Sequence, residues 1–186
     1  LARRLRSGAR LLVVPDGGVP LVAVRAVWPG GLAAEDERSH GASQLLARLL
    51  ARGTRARGGA DLRRELTEIG GTLQGRAGAA SFGLAAEFLS QHLAQGLALF
   101  AECLRDPALR DGDVDAERRA TLIRLRSREE DPAQVALRLF ARTLLPRSPY
   151  RLDPLGSESV VAGLSRRRLL ELYRQRYPLA RATLIV

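Results

Sequence analysis

The sequence predicts an α+β domain, a two-layer sandwich in which a largely antiparallel sheet is packed with helices. Three observations carry that prediction. Strand-like apolar runs stand at both ends of the chain, "RLLVVPD" and "PLVAVRAVWPGG" near the start and "ARATLIV" at the close. A further pair, "TLQGRAG" and "ASFGLAAEFL", reads as paired strands in the interior. Elsewhere the apolar residues fall at helical spacing. The 186 residues are 46% hydrophobic, enough to build one core, so residues 1–186 are read as a single domain.

The elements follow in order. "RLLVVPD", the turn residues "GG" and "PLVAVRAVWPGG" give a strand, a turn and a longer strand. Ser39 or His40 begins a helix that runs to about Arg52, with Leu45, Leu46, Leu49 and Leu50 as its buried stripe. "GTRARGGA" is a loop, and "DLRRELTEIGG" a short helix with Asp61 near its start and Gly70-Gly71 at its end. After the paired strands come helices at roughly 90–105, 113–130 and 132–145, with Pro107 and Pro132 marking breaks. "LPRSPYRLDPLG" is a Pro-rich loop, "SESVVAGLSRRRLLELYRQRY" gives two more helices, and "ARATLIV" the last strand. The chain opens on Leu and stops in a strand-like run, and is expected to be a piece of a longer, two-domain protein.

The net charge of +10 raises nucleic-acid binding, and the rest of the composition argues against it. All 30 basic residues are Arg, and Lys, Asn and Met are absent, the pattern of a GC-rich bacterial genome. The arginines are spread over helix faces, and at 4% aromatic residues a base-stacking platform has little material. No apolar run is long enough to span a membrane. A soluble protein of the bacterial periplasm or cytoplasm is expected.

Cys103 is the sole cysteine, which excludes an internal disulfide. It lies on the apolar stripe of "LALFAECLRD" and reads as a buried structural thiol. His40 and His92 stand far apart, and each reads as a cap or surface residue. Glu65, Glu68, Glu117, Glu129 and Glu130 alternate with Arg and read as solvated ion-pair partners.

"GASQLLARLLARGT", residues 41–54, holds a more specific pattern. Gln44, Ala47 and Arg48 stand at i, i+3 and i+4 on one helix face. With Gly41, Ser43, the four leucines, Gly53 and Thr54, the segment resembles the G-x-A-H-x-x-E-H-x-x-x-x-G-T motif of the pitrilysin/insulinase metallopeptidases, which include the mitochondrial processing peptidases. The resemblance continues through "LTEIGGTLQGRAGAASFGLAAEFLSQHLAQGLALFAECLRDPAL", "RATLIRLRSREEDPAQVALRLF" and "SPYRLDPLGSESVVAGLSRRRLLELYRQRYPLARATLIV". It implies the N-terminal homologous domain of that family.

In active members the resemblance implies two zinc-binding histidines, a glutamate that activates water, and a distal glutamate ligand roughly 74–76 residues beyond the second histidine. Here the matching positions are Gln44, Ala47, Arg48 and, 76 residues on from Arg48, Arg124. A neutral amide, a methyl and two guanidiniums supply neither ligands nor base, so no zinc or other cofactor is expected. The leucines keep the helix packed while its chemical face is free to change. Leu45, Leu46 and Leu49 are therefore expected in the core, with Gln44 and Arg48 facing a cleft or solvent and Ala47→Glu costing little.

The resemblance further implies a chamber shared by homologous domains, only one of them bearing zinc. This chain is expected to be a non-catalytic half, structural or peptide-binding, beside a second homologous domain of its own chain and in a homo- or hetero-dimer with a zinc-bearing homologue. The strand Thr72, Leu73, Gln74, Gly75, Arg76 and Ala77 matches the sheet edge that pairs with substrate backbone; the plain alternative is an ordinary strand without a ligand. Two other functions stay open, an endopeptidase with an unconventional or partner-completed site and an Arg-rich module for acidic partners.

Overall fold

A computed structural model describes residues 1–186. Strands Ala2–Arg4 (β1), Arg10–Leu12 (β2), Leu21–Pro29 (β3), Thr72–Ala77 (β4), Ser81–Leu89 (β5) and Thr183–Ile185 (β6) form one sheet in the order β1-β2-β6-β3-β5-β4. All neighbours are antiparallel except β2 and β6. The opening strand and the long strand are thus not neighbours, because the C-terminal β6 lies between them. β1 was not legible in the sequence: all three of its residues are exposed and two are Arg, so it has no buried alternation to betray it.

The alternation of β3 and β5 decides which face is covered. Val24, Ala26 and Trp28 of β3 and Phe82, Leu84, Ala86 and Phe88 of β5 are buried on one face. Helices Ala42–Leu50 (α1), Gly59–Glu68 (α2), Leu93–Arg105 (α3), Asp111–Glu129 (α4), Pro132–Leu144 (α5), Glu158–Gly163 (α6) and Arg166–Arg176 (α7) complete the chain. Leu45, Leu46, Leu49 and Leu50 of α1 join one core with Leu99, Phe100 and Cys103 of α3 and with Leu169, Leu172 and Tyr173 of α7. Tyr177 stacks on Phe82 at 3.8 Å, and Trp28 donates its indole N–H to the Pro178 carbonyl at 2.9 Å. The opposite face of the sheet, with Arg25, Val27, Gly83 and Ala85, carries no helix and lines a shallow depression of about 450 Å³. No helix is long and apolar enough to cross a membrane.

The predicted breaks fall where expected. Pro107 follows the end of α3, and Pro132 opens α5, whose N-terminus is capped by the Asp131 carboxylate on the Ala133 N–H. Gly70 ends the turn after α2 with φ +61°. The start of α1 needs correction. Neither Ser39 nor His40 caps it; Gly41 does, in the left-handed region at φ 90°, and the helix ends at Leu50 rather than Arg52. His40 is buried under that turn rather than on the surface. Cys103 is fully buried, which pushes its thiol up to about 12.

Leu49 is wholly enclosed, so Leu49→Ala should lower stability by about 2–5 kcal/mol in urea denaturation. An unchanged midpoint would mean the helix face is wrongly assigned. α5 is the exception to the core rule. It has no buried residue, and Leu137, Phe140 and Leu144, at i, i+3 and i+7, are each about 60% exposed.

Candidate functional site

α1 is the element from which the site is built, and its N-terminus is held from a distance. Its cap is a glycine with no side chain to offer, so the Glu35 carboxylate accepts from the Gly41 N–H at 2.8 Å and the Ser43 N–H at 2.6 Å. Burial pushes the Glu35 carboxyl above the usual range, while these hydrogen bonds and nearby Arg176 pull the other way. Ser43 Oγ meets the Tyr177 hydroxyl at 2.7 Å, and that hydroxyl also accepts from the Gly31 N–H at 3.3 Å.

From Ala42 to Leu50, every residue of α1 is buried except Gln44 and Arg48. The helix thus shows solvent two side chains, one turn apart, between β4 and α4. Both are half-buried, where a cleft or solvent was expected. The expectation for Ala47 does not hold: it is 1% exposed, wedged against β4, so Ala47→Glu would force a carboxylate into a closed contact. The wedge is tight because Gly75 lies under it, where an added Cβ would stand 1.7 Å from the Ala47 carbonyl oxygen.

The two half-buried side chains have different surroundings. Gln44 donates its amide N–H to the Ala77 carbonyl of β4 at 2.7 Å. Arg48 faces Glu117 of α4 at 3.9 Å, and Arg52 donates to the other oxygen of the same carboxylate, through Nε at 3.1 Å. Glu117 is 3% exposed, which corrects its reading as a solvated partner. The other four acids are exposed or half-buried. Arg124 lies two turns beyond Glu117 on α4, exposed and without a carboxylate partner. Glu117 was missed, yet a signal exists: Val114, Glu117, Thr121 and Leu125 make the buried stripe of α4, so an acid occupies a core position in a helical pattern.

These residues do not suit a zinc ion. Gln44 offers a neutral amide oxygen, a weak ligand, Ala47 has no donor atom, and Arg48 and Arg124 are permanent cations. No three His, Cys, Asp or Glu side chains cluster anywhere to replace them.

β4 is an edge strand, paired with β5 alone. The Gly78 N–H bonds Ser81 O across the hairpin, and antiparallel pairs alternate between bonded and non-bonded. Leu73, Gly75 and Ala77 therefore direct their N–H and C=O groups away from β5, along the free edge. Gln44 takes the last of those carbonyls, and no strand pairs with those of Leu73 and Gly75.

Residues 17–159 match the model of the insulinase family (peptidase family M16), and the chain belongs to that family. It is 28% identical over 138 residues to the uncharacterized zinc protease SCO5738 of Streptomyces coelicolor, which covers 74% of this chain and 30% of the relative. It is 25% identical over 174 residues to cytochrome b-c1 complex subunit 1 of Caenorhabditis elegans, 93% of this chain and 36% of that protein. The fold matches a peptidase M16 inactive domain from Pseudomonas fluorescens with TM-score 0.94 at 16% identity, and pitrilysin with 0.82 at 21%. This chain spans 45% of the first of those structures and 20% of the second, and about a third of the curated relatives' length.

Proposed function

We propose that this chain is a non-catalytic, peptide-binding half of a proteolytic chamber, without zinc, which works beside a second homologous domain and a zinc-bearing homologue. The observation that carries the reading is the fate of the former ligand face. Gln44 is hydrogen-bonded to β4 and Arg48 stands 3.9 Å from the Glu117 carboxylate of α4, so neither side chain is arranged to hold a metal or activate water. The open edge of β4 keeps the means to hold an extended backbone. The uncovered apolar stripe of α5 supports a partnered state, since side chains of this size gain by leaving water. The solved relatives' greater length is consistent with a second domain as the first partner.

The test mixes the full-length protein with its zinc-bearing homologue and follows cleavage of an unfolded peptide. Alone, this protein should cleave nothing and carry no stoichiometric metal after dialysis; the mixture should cleave faster than the homologue alone. Equal activity of the homologue without this protein would remove the partner role. Cleavage by this protein alone, stopped by a chelator, would establish an unconventional or partner-independent zinc site instead. The similarity to zinc proteases makes that the competing reading.

A further inference from the structure

We propose that the edge of β4 selects an extended peptide bearing acidic side chains, an inference that rests on the peptide-binding reading above and names the substrate class for it. The backbone groups come first. Leu73 and Gly75 each offer an N–H and a C=O along the edge, while Ala77 O is held by Gln44 Nε2. With its N–H₂ pinned on Ala77, Gln44 keeps its own carbonyl oxygen free to accept one more N–H from a docked strand. The edge is thereby extended by a side chain rather than closed.

The charge beside that edge is predominantly positive. Gln44 lies level with Ala77, and the Ala47 carbonyl stands over Gly75, so Arg48 lies beside the middle of the edge. Its guanidinium shares Glu117 with Arg52, so two cations meet a single carboxylate. Arg124 adds a third cation about 10 Å along α4 from Glu117, at 1.5 Å rise per residue, with no carboxylate of its own. Arg76 on β4 donates to the Gln74 carbonyl oxygen at 2.8 and 3.0 Å and likewise meets no acid. Glu87, opposite Thr72 at the far end of β4, is the acid on the open side of this strip.

A strand added to β4 sends alternate side chains toward α1 and α4, where Arg48 and Arg124 stand. Carboxylates at those alternate positions would find guanidiniums only partly neutralised, and basic side chains would meet like charge. An exposed Arg124 also draws an anionic peptide before contact, at a rate that salt suppresses.

The test uses the full protein and three ten-residue peptides sharing one β-forming sequence, with Asp, Asn or Arg at alternate positions, measured by fluorescence anisotropy. The Asp peptide should bind about tenfold tighter than the Asn peptide, and the Arg peptide weakest. Arg124→Gln, on an exposed side chain that holds no part of the core, should narrow the gap between Asp and Asn. Backbone N-methylation at alternate residues of the Asp peptide should abolish binding. Equal binding of the Asp and Asn peptides would overturn the acidic preference and leave edge pairing intact. Acidic binding that survives N-methylation would overturn edge pairing and leave only charge. Binding of none of the three would overturn both.

Discussion

Gly75→Ala should destabilise this domain by about 3 kcal/mol or more, although it adds one methyl to a half-buried strand residue. The reason is what that methyl would meet. It would stand 1.7 Å from the Ala47 carbonyl oxygen, 2.4 Å from its carbon and 3.0 Å from its Cα. All three are helix backbone, and no rotamer change can make room. Either α1 lifts off β4 or β4 moves out, and both break the layer that carries the site. Ala47 sits between Leu46 and Leu49, so moving it disturbs a leucine stripe that is buried along its whole length. Gly112→Ala provides the contrast. Nothing lies within 4 Å of the new methyl, and the position is in the first turn of α4, so that variant should gain about 0.4–1 kcal/mol. Urea denaturation of the two variants beside the parent gives the comparison. Equal midpoints for Gly75→Ala and the parent would mean that α1 and β4 do not approach as closely as described.

How far this could be read in the sequence depended on the period of each signal. The leucines of α1, the Gly-Gly after α2 and the paired strands β4 and β5 all announce themselves in local pattern, and the fold agrees with them. What local pattern could not supply was distance along the chain. β6 enters between β2 and β3 from the far end of the sequence, and Glu35 caps a helix that begins seven residues later. His40 looked like a cap because a helix starts near it, but the left-handed Gly41 turns the chain and buries it. Ala47 looked replaceable because the resemblance matches it to a glutamate; its burial, at 1% exposure, comes from elements distant in sequence, β4 among them. Glu117 was misread because alternation with Arg resembles a solvated face. Its neighbours at helical spacing, Val114 and Thr121, carried the better signal.

Replacing both arginines that face Glu117 should cost far more than replacing Glu117 itself. The Glu117 side chain is 4% exposed, whereas Arg48 and Arg52 are 29% and 46% exposed. Glu117→Gln leaves two guanidiniums that can turn toward water, and should cost about 1–2 kcal/mol for the lost charged hydrogen bonds. Arg48→Met with Arg52→Met leaves a carboxylate in the core with no cation and no route to solvent, and should cost about 3–5 kcal/mol. Adding Glu117→Leu to the two Met substitutions should recover most of that loss, since an all-apolar replacement of a buried ion group is often neutral. A double Arg variant as stable as the parent would show that Glu117 does not depend on either partner. The same asymmetry bears on regaining zinc with Gln44→His, Ala47→Glu, Arg48→His and Arg124→Glu. Arg48→His removes one of the two cations from Glu117, and Ala47→Glu places a carboxylate at a position that is 1% exposed. Introducing all four substitutions should therefore yield a protein less stable than the parent by about 3–5 kcal/mol or more, whether or not it binds metal.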